Sequence, residues 1–100
     1  MKVEQFYNKN QFHIIQHEKA HCIDYLQSYN SLVVKVDSHI TKGRTITLGC
    51  DWDYSTTTSK HVYLFLEEYA DINFYGISNK RAYVNKLIKD GTIIYDENMR

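Results

Sequence analysis

The sequence predicts an α+β fold in which an antiparallel β-sheet of about four strands, from the N-terminal half, packs against two helices from the C-terminal half. Up to about residue 50 the apolar residues favour alternation with polar ones, whereas from residue 55 to residue 90 they recur at helical spacing. Aromatic residues make up 14 % of the chain, which favours a packed core over disorder. Without proline, repeats or a visible linker, residues 1–100 are expected to form a single domain.

Four strands are expected in the N-terminal half. In residues 32–36 the side chains are predicted to alternate. Leu32, Val34 and Val36 should face one side of the sheet, and Val33 and Lys35 the other. Residues 22–29 precede this strand across the turn-forming sequence Tyr-Asn-Ser, so these two strands should form a hairpin. Residues 45–48, after a predicted loop, and residues 12–16 complete an antiparallel meander.

The helices are marked more clearly by their ends and by their apolar stripes. The first begins near Ser55 or Thr56, and the second has Ser78 as its expected N-cap and Gly91 as a left-handed residue after its end. The predicted apolar stripes are Val62, Phe65, Leu66 and Tyr69 on the first helix, and Tyr83, Val84, Leu87 and Ile88 on the second. Residues 92–95 should form a short final strand.

Composition excludes several classes of partner. Twelve basic and twelve acidic residues give a formal charge of zero, so the chain has no global field that attracts polyanions or acidic membranes. Cys22 and Cys50 are too few for a disulfide framework, which favours a reducing cytoplasm. No apolar run approaches the roughly 20 residues that cross a bilayer, so no membrane association is expected.

The pentapeptide His17-Glu18-Lys19-Ala20-His21 has the H-E-x-x-H spacing of a zinc-dependent hydrolase. That site needs a helix, a third ligand and the glutamate placed as a base. The neighbouring β-branched isoleucines instead favour strands, with His17 and His21 flanking a hairpin connection. The sequence therefore predicts no cofactor and no metal site. His17 and His21 stay as the candidate ligands, and a zinc hydrolase is the most remote alternative.

A second motif, W-D-Y-S-x-T-T-x-K-H, begins at Trp52 and ends at His61. Together with the segments LQSYNSLVVKVD and SNKRAYVNKLI it resembles a family of small uncharacterised proteins from phages and prophages of Gram-positive bacteria, over roughly residues 25–90. The resemblance implies a phage origin and a sheet-then-helices domain, and it supplies no activity and no catalytic residues.

The same motif has a structural and a functional interpretation. Structurally, Asp53, Ser55 or Thr56 can accept from free amides at a helix start, and Trp52 can bury its ring where the sheet meets the helix. Functionally, the side chains of Asp51, Asp53, Lys60 and His61 form a polar cluster. No phosphate-binding glycine loop or nucleophile elbow accompanies that cluster, so no enzyme activity is predicted.

The leading functional expectation is a non-enzymatic phage accessory protein that acts in the host cytoplasm and binds a host or phage protein, with inhibition of a host defence system as one form. The candidate partner-binding residues are Asp51, Trp52, Asp53, Tyr54, Lys60, His61, Tyr63, Phe74 and Tyr75. Among Phe74 and Tyr75 at least one ring should be accessible.

The alternative is a DNA- or RNA-binding module that uses the basic helix at residues 79–90. Its candidate residues are Lys80, Arg81, Lys86 and Lys89. Phosphate neutralisation dominates nucleic-acid affinity, and the acidic residues of the preceding helix oppose it, so such binding would be weak and salt-dependent. A homodimer formed by pairing of edge strands is a further expectation.

Overall fold

Six strands form one sheet in a computed structural model that describes residues 1–100. The strands are β1 (Lys2–Phe6), β2 (Asn8–Glu18), β3 (His21–Ser28), β4 (Ser31–His39), β5 (Gly43–Gly49) and β6 (Ile94–Asp96). They lie side by side in that order, antiparallel from β1 to β5, whereas β6 runs parallel to β5. The predicted α+β class is confirmed. The N-terminal half, however, contributes five strands and not about four.

Strands β2, β4 and β5 extend beyond their predicted bounds at both ends, because backbone pairing continues past the apolar residues. The predicted loop after residue 36 is partly strand, since β4 continues to His39, which pairs with Gly43 across a tight turn. Gly43 has a φ of +86°, in the left-handed region that glycine adopts without a steric penalty. Within this turn the Nδ1 atom of His39 accepts from the backbone N–H groups of Thr41 and Lys42, at 3.1 and 3.0 Å.

Two helices cover one face of the sheet. Helix α1 (Thr56–Tyr69) begins after Ser55, whose side chain accepts from the Thr58 N–H, as the sequence predicts. Helix α2 (Lys80–Lys89) has Asn79 as its N-cap, one residue later than predicted. Gly91, with φ +86°, follows the C-cap of α2 as expected. Neither helix combines the length and the apolarity needed to span a bilayer.

The core lies between this covered face and the helices. Sixteen buried residues form one apolar cluster, which includes Leu26, Val34 and Leu48 from the sheet and Phe65 and Val84 from the helices. The apolar stripes predicted for both helices contribute to this core. The residues of those stripes that are buried are Val62, Phe65, Leu66, Val84 and Leu87.

A β-bulge changes the expected alternation in β4. Leu26 pairs with Val34 and the next residue, Gln27, pairs with Leu32, so Val33 is the extra residue between them. Val33 and Val34 are both fully buried. The prediction that Leu32 shares a face with Val34 and Val36 while Val33 faces away is therefore wrong at two residues: the bulge turns Val33 toward the core, and Leu32, opposite Gln27, lies on the other face.

Candidate functional site

The H-E-x-x-H pentapeptide crosses a β-hairpin. Strand β2 ends at Glu18 and β3 begins at His21, and these two residues pair, as do His17 and Cys22. Because side chains alternate along a strand, His17 and His21 point to opposite faces of the sheet. The Nδ1 atom of His21 instead lies 2.7 Å from Oδ1 of Asp37. The hairpin prediction is confirmed, and the helical zinc geometry does not form.

Metal ligands do not gather elsewhere in the chain. No group of three or more His, Cys, Asp or Glu side chains is arranged to hold a metal ion. Cys22 and Cys50 are unpaired thiols, both half-buried. Burial and the nearby Asp24 carboxylate raise the pKa of Cys22, which holds the thiol in its protonated form.

The principal cavity, of about 540 Å³, opens between the β3–β4 turn and the start of α1. One wall comes from this turn and the strand residues beside it, and the other from the β5–α1 loop and the first turn of α1. The lining residues are Ser28, Tyr29, Asn30, Ser31, Val33, Asp51, Tyr54, Ser55, Thr57 and Thr58. Five of them carry aliphatic hydroxyl groups, so the lining presents many groups that both donate and accept hydrogen bonds.

Hydrogen bonds between side chains fix the two walls relative to each other. The Ser31 hydroxyl donates to Oδ2 of Asp51 at 2.8 Å, which ties β4 to the β5–α1 loop. The hydroxyls of Ser28 and Thr58 are 2.9 Å apart and tie β3 to α1. Thr58 is itself held by the N-cap Ser55. The cavity is therefore part of the folded scaffold and its shape is set by strand and helix positions.

Two tyrosines form the rim of the cavity. Tyr54 ends a turn that is closed by a hydrogen bond from its own backbone N–H to the carbonyl of Asp51. The residue is 79 % exposed. Tyr29 is 46 % exposed and has a φ of 56°, a left-handed conformation that is uncommon for a bulky residue. Its N–H donates to the Asn10 carbonyl at 2.7 Å. This bond to the neighbouring strand holds the turn in its strained conformation.

Asp51 is the one charged residue in the lining. The N-terminus of α1 also faces the cavity and carries about half a positive elementary charge from the helix dipole. The full negative charge of a carboxylate is larger, so the cavity favours a cationic or hydrogen-bond-donating group. Hydroxyl acceptors and tyrosine rings are suited to the same kind of group.

Three of the predicted partner-binding residues are not on the surface. Trp52, His61 and Phe74 are 3 %, 6 % and 3 % exposed, so the prediction that they contribute to a binding surface is wrong. Trp52 packs edge-on to Tyr63, with ring centroids 6.4 Å apart. It fills the junction of sheet and helix, as the structural interpretation of the motif predicts.

The other two buried residues also have structural roles. His61 is bonded through Nδ1 to the Thr57 carbonyl at 2.7 Å and meets the ring of Phe6 edge-on. Phe74 packs between the rings of Tyr63 and Tyr83. The neighbouring Tyr75 is 93 % exposed, which confirms that one ring of the Phe74–Tyr75 pair is accessible.

Residues predicted for two different functions meet at the start of α2. Arg81 donates to the Asp53 carboxylate. Lys80 lies with its Nζ atom 5.9 Å from the ring centroids of both Tyr63 and Phe74. Burial raises the pKa of Tyr63, although a bond from Ser59 opposes this effect. Both cations therefore have partners inside the chain.

The remaining two cations of the basic helix lie at its other end. Lys86 and Lys89 are in the last turn of α2, where positive charge complements the helix dipole. Lys60, on α1, is exposed and does not line the cavity. The residues predicted for nucleic-acid binding are thus divided between two ends of one helix, and half of them are engaged.

Of the predicted partner-binding set, the cavity brings together Asp51 and Tyr54. The residues from the β3–β4 turn, above all Tyr29 and Ser31, were not among the sequence candidates. A signal for them existed: in an antiparallel meander the β3–β4 turn lies at the same end of the sheet as the C-terminal end of β5. The turn therefore had to be near the W-D-Y-S motif.

Comparison with known proteins gives a family and no activity. A family of unknown function (DUF8033) matches residues 1–85, which include all five N-terminal strands, α1 and the whole cavity lining. No curated protein and no solved structure matches the chain. The function therefore has to be inferred from the geometry of the cavity and its rim.

Proposed function

We propose, for a chain that belongs to this family of unknown function (DUF8033), a role as a small non-enzymatic accessory protein that binds a protein partner. The partner is a host or phage protein in the host cytoplasm, and inhibition of a host defence system is one form of this role. The observation that carries the proposal is the hydroxyl-lined cavity with two exposed tyrosines on its rim. The resemblance of residues 25–90 to small phage proteins supports the phage origin.

The rim has the composition of an energetically important protein-binding site. Tyrosine is enriched among the residues that carry most of the binding energy at interfaces, because it offers a large contact area with few rotatable bonds. Tyr54 is mostly exposed, and Tyr29 is held in place by its backbone bond to β2. A partner that covers both rings would bury a large aromatic surface around the cavity mouth.

The cavity indicates the chemistry of the partner. Asp51 supplies the negative charge, and its carboxylate is already oriented by the Ser31 hydroxyl. An arginine of the partner fits these groups best, since a planar guanidinium can bond to a carboxylate and stack on tyrosine rings at the same time. We therefore infer that the partner inserts a basic segment into the cavity.

Capture from lysate of infected host cells tests this proposal. The tagged chain should retain a protein that Tyr54→Ala loses, because Tyr54 is a rim residue whose exposure makes the change harmless to folding. Asp51→Asn should weaken capture of the same protein about tenfold or more, since one charge-assisted bond is lost. Tyr75→Ala is the matched control, because Tyr75 is even more exposed than Tyr54 and does not line the cavity.

Several outcomes would contradict the proposal. Equal capture by the wild-type chain and Tyr54→Ala would show that the rim is not the binding surface. Loss of capture with Tyr75→Ala would move the site to the α1–α2 loop. Recovery of nucleic acid in place of protein, sensitive to salt and to the double change Lys80→Glu with Arg81→Glu, would favour the nucleic-acid alternative.

A further inference from the structure

Several side chains of β2 and β3 depart from the usual pattern of a sheet with one covered face. Their side chains on the helix-covered face include Gln11, His13, Asp24 and Ser28, whereas Phe12, Ile14, Ile23 and Tyr25 point to the other face. An antiparallel sheet with one solvated face normally alternates apolar-in and polar-out. Leu26 of β3 follows this rule and lies in the core, but the face that no element of the chain covers also carries apolar residues, beside polar ones such as Gln16 and Gln27.

These residues form one continuous surface, which we call the apolar patch. Cross-strand pairing places Ile14 between Val3 of β1 and Tyr25 of β3. The patch consists of Val3, Phe12, Ile14, Ile23, Tyr25 and Leu32. Ile23 is buried by its neighbours on this face, yet it is not part of the sixteen-residue core cluster. The patch is therefore a second apolar surface, separate from the core.

The sheet cannot relieve this arrangement by changing its register. A slip of one residue would exchange the two faces of a strand, but three polar residues on the covered face, His13, Asp24 and Ser28, are engaged. The Nε2 atom of His13 lies 2.7 Å from Oδ1 of Asp24, and the His13 ring packs on the rings of Phe65 and Tyr69. Ser28 is bonded to Thr58 of α1. These contacts hold the apolar patch outward.

We propose that a second copy of the chain covers the patch, so that two sheets pack face to face as a homodimer. At about 4.8 Å between strands and about 3.3 Å per residue, the open face spans about 24 by 26 Å, or about 600 Å² in projection. Corrugated side chains expose more area than the plane they project onto. The face thus reaches the order of the 800 Å² per partner, roughly, that a stable interface buries.

The charges around the patch fit a two-fold partner. Lys35 and Asp37 lie on the same open face of β4, opposite Tyr25 and Ile23 respectively, and Asp37 also contacts His21 of its own chain through one carboxylate oxygen. In a two-fold interface, residue i of one copy meets residue j of the other, so Lys35 can face Asp37 of the second copy twice. The formal charge of zero for the whole chain leaves no net repulsion between copies.

This dimer goes beyond the proposed function and uses a different surface. The cavity opens beside α1 on the helix-covered side, so a face-to-face dimer presents two accessible cavities. It also differs from a dimer made by pairing of edge strands, because β1 and β6 keep their outer edges free. A change in the patch should therefore alter the oligomeric state without altering the cavity.

Sedimentation equilibrium of the full chain tests the dimer across a wide range of concentration. The wild-type chain should have twice the mass of one chain, and Ile14→Lys should raise the dimer dissociation constant about thirtyfold or more. Ile40→Lys is the matched control, since Ile40 is 81 % exposed in the β4–β5 turn and should leave the mass unchanged. A monomeric wild-type chain, or an Ile14→Lys variant as dimeric as wild type, would overturn the proposal.

Reversing the charge at position 35 or 37 tests the face-to-face dimer even if Ile14→Lys does not fold. Lys35→Asp alone and Asp37→Lys alone should each be mainly monomeric, because each places like charges together twice. An equal mixture of the two variants should form a heterodimer, since every facing pair then has opposite signs. A mixture that stays monomeric, or single variants that dimerise as well as wild type, would contradict the face-to-face arrangement.

Discussion

Gln11 is a fully buried amide that has no hydrogen-bond partner within the chain. Neither its Nε2 nor its Oε1 atom is bonded, although it lies on β2 directly opposite Ser28. Leaving a buried polar group unpaired costs about 1–3 kcal/mol in desolvation, whereas an apolar side chain of similar shape has no such cost. Gln11 is thus a residue at which the sequence departs from what stability alone would favour.

Replacement of Gln11 by leucine should therefore stabilise the protein. We expect Gln11→Leu to raise the free energy of unfolding by about 1 kcal/mol, measured by urea denaturation. The same change at the exposed Gln5 should stay within about 0.5 kcal/mol of wild type. A lower free energy of unfolding for Gln11→Leu would show that the amide is satisfied in solution.

At the scale of single elements, two adjacent polar residues at the start of α2 have different roles. The Asn79 side chain accepts from the Ala82 N–H at 3.0 Å and so satisfies one of the free donors of the first turn. Ser78 has an equally suitable side chain but lies one residue outside this position. The start of α2 therefore depends on Asn79 and not on Ser78.

Alanine substitutions should reproduce this difference. Asn79→Ala should lower the free energy of unfolding by about 1 kcal/mol, because the cap is lost and its partner N–H is left free. Ser78→Ala should change it by less than about 0.5 kcal/mol. Thermal unfolding followed by circular dichroism gives both values, and a larger effect at Ser78 would assign the cap to that residue instead.

The elements that the sequence predicted are those with a clear apolar period or a clear turn signal. Both helices were predictable because their buried residues recur at helical spacing, and the hairpin of β3 and β4 because turn-forming residues separate two strand-like runs. Strand β1 was missed since four of its five residues are exposed and only Phe6 enters the core. The cap at Asn79 was missed by one residue because Ser78 and Asn79 have similar capping chemistry.

The candidate site was predictable only in part. Asp51 and Tyr54 stood out because they belong to a dense polar and aromatic motif. Trp52 and Phe74 belong to the same aromatic-rich region, and single-sequence patterns do not distinguish a ring in the core from one on the surface. Tyr29 comes from a turn distant in sequence, so its place at the rim depends on the pairing order of the strands.

Across the whole molecule, several tyrosines link stability to alkaline pH. Burial raises the pKa of Tyr63 and Tyr69 above the ordinary value of 10.0, and the bond to Glu68 raises the pKa of Tyr7. A raised pKa means that the fold favours the neutral phenol over the phenolate. The resulting stability is fully present below pH 10 and is lost as the pH rises through the folded-state pKa values.

We therefore expect the midpoint of thermal unfolding to fall as the pH is raised above 10. Tyr69→Phe should reduce this fall, because a ring packed against His13 and Phe65 then no longer ionises. Tyr75→Phe, at an exposed position, should leave the pH dependence as in wild type. An identical decline in the wild type and in Tyr69→Phe would show that Tyr69 does not contribute to it.

The order of the strands in the sheet follows their order along the chain from β1 to β5, and this has a consequence for how rapidly the protein acquires its structure. Each of these hairpins closes only a short loop, so the entropy lost before contacts form is small. Strand β6 must instead bridge two helices before it meets β5. We expect the hairpins of β1 to β5 to form early in folding. Strand β6 should then pair with β5 in the slowest step, after the antiparallel part of the sheet has assembled.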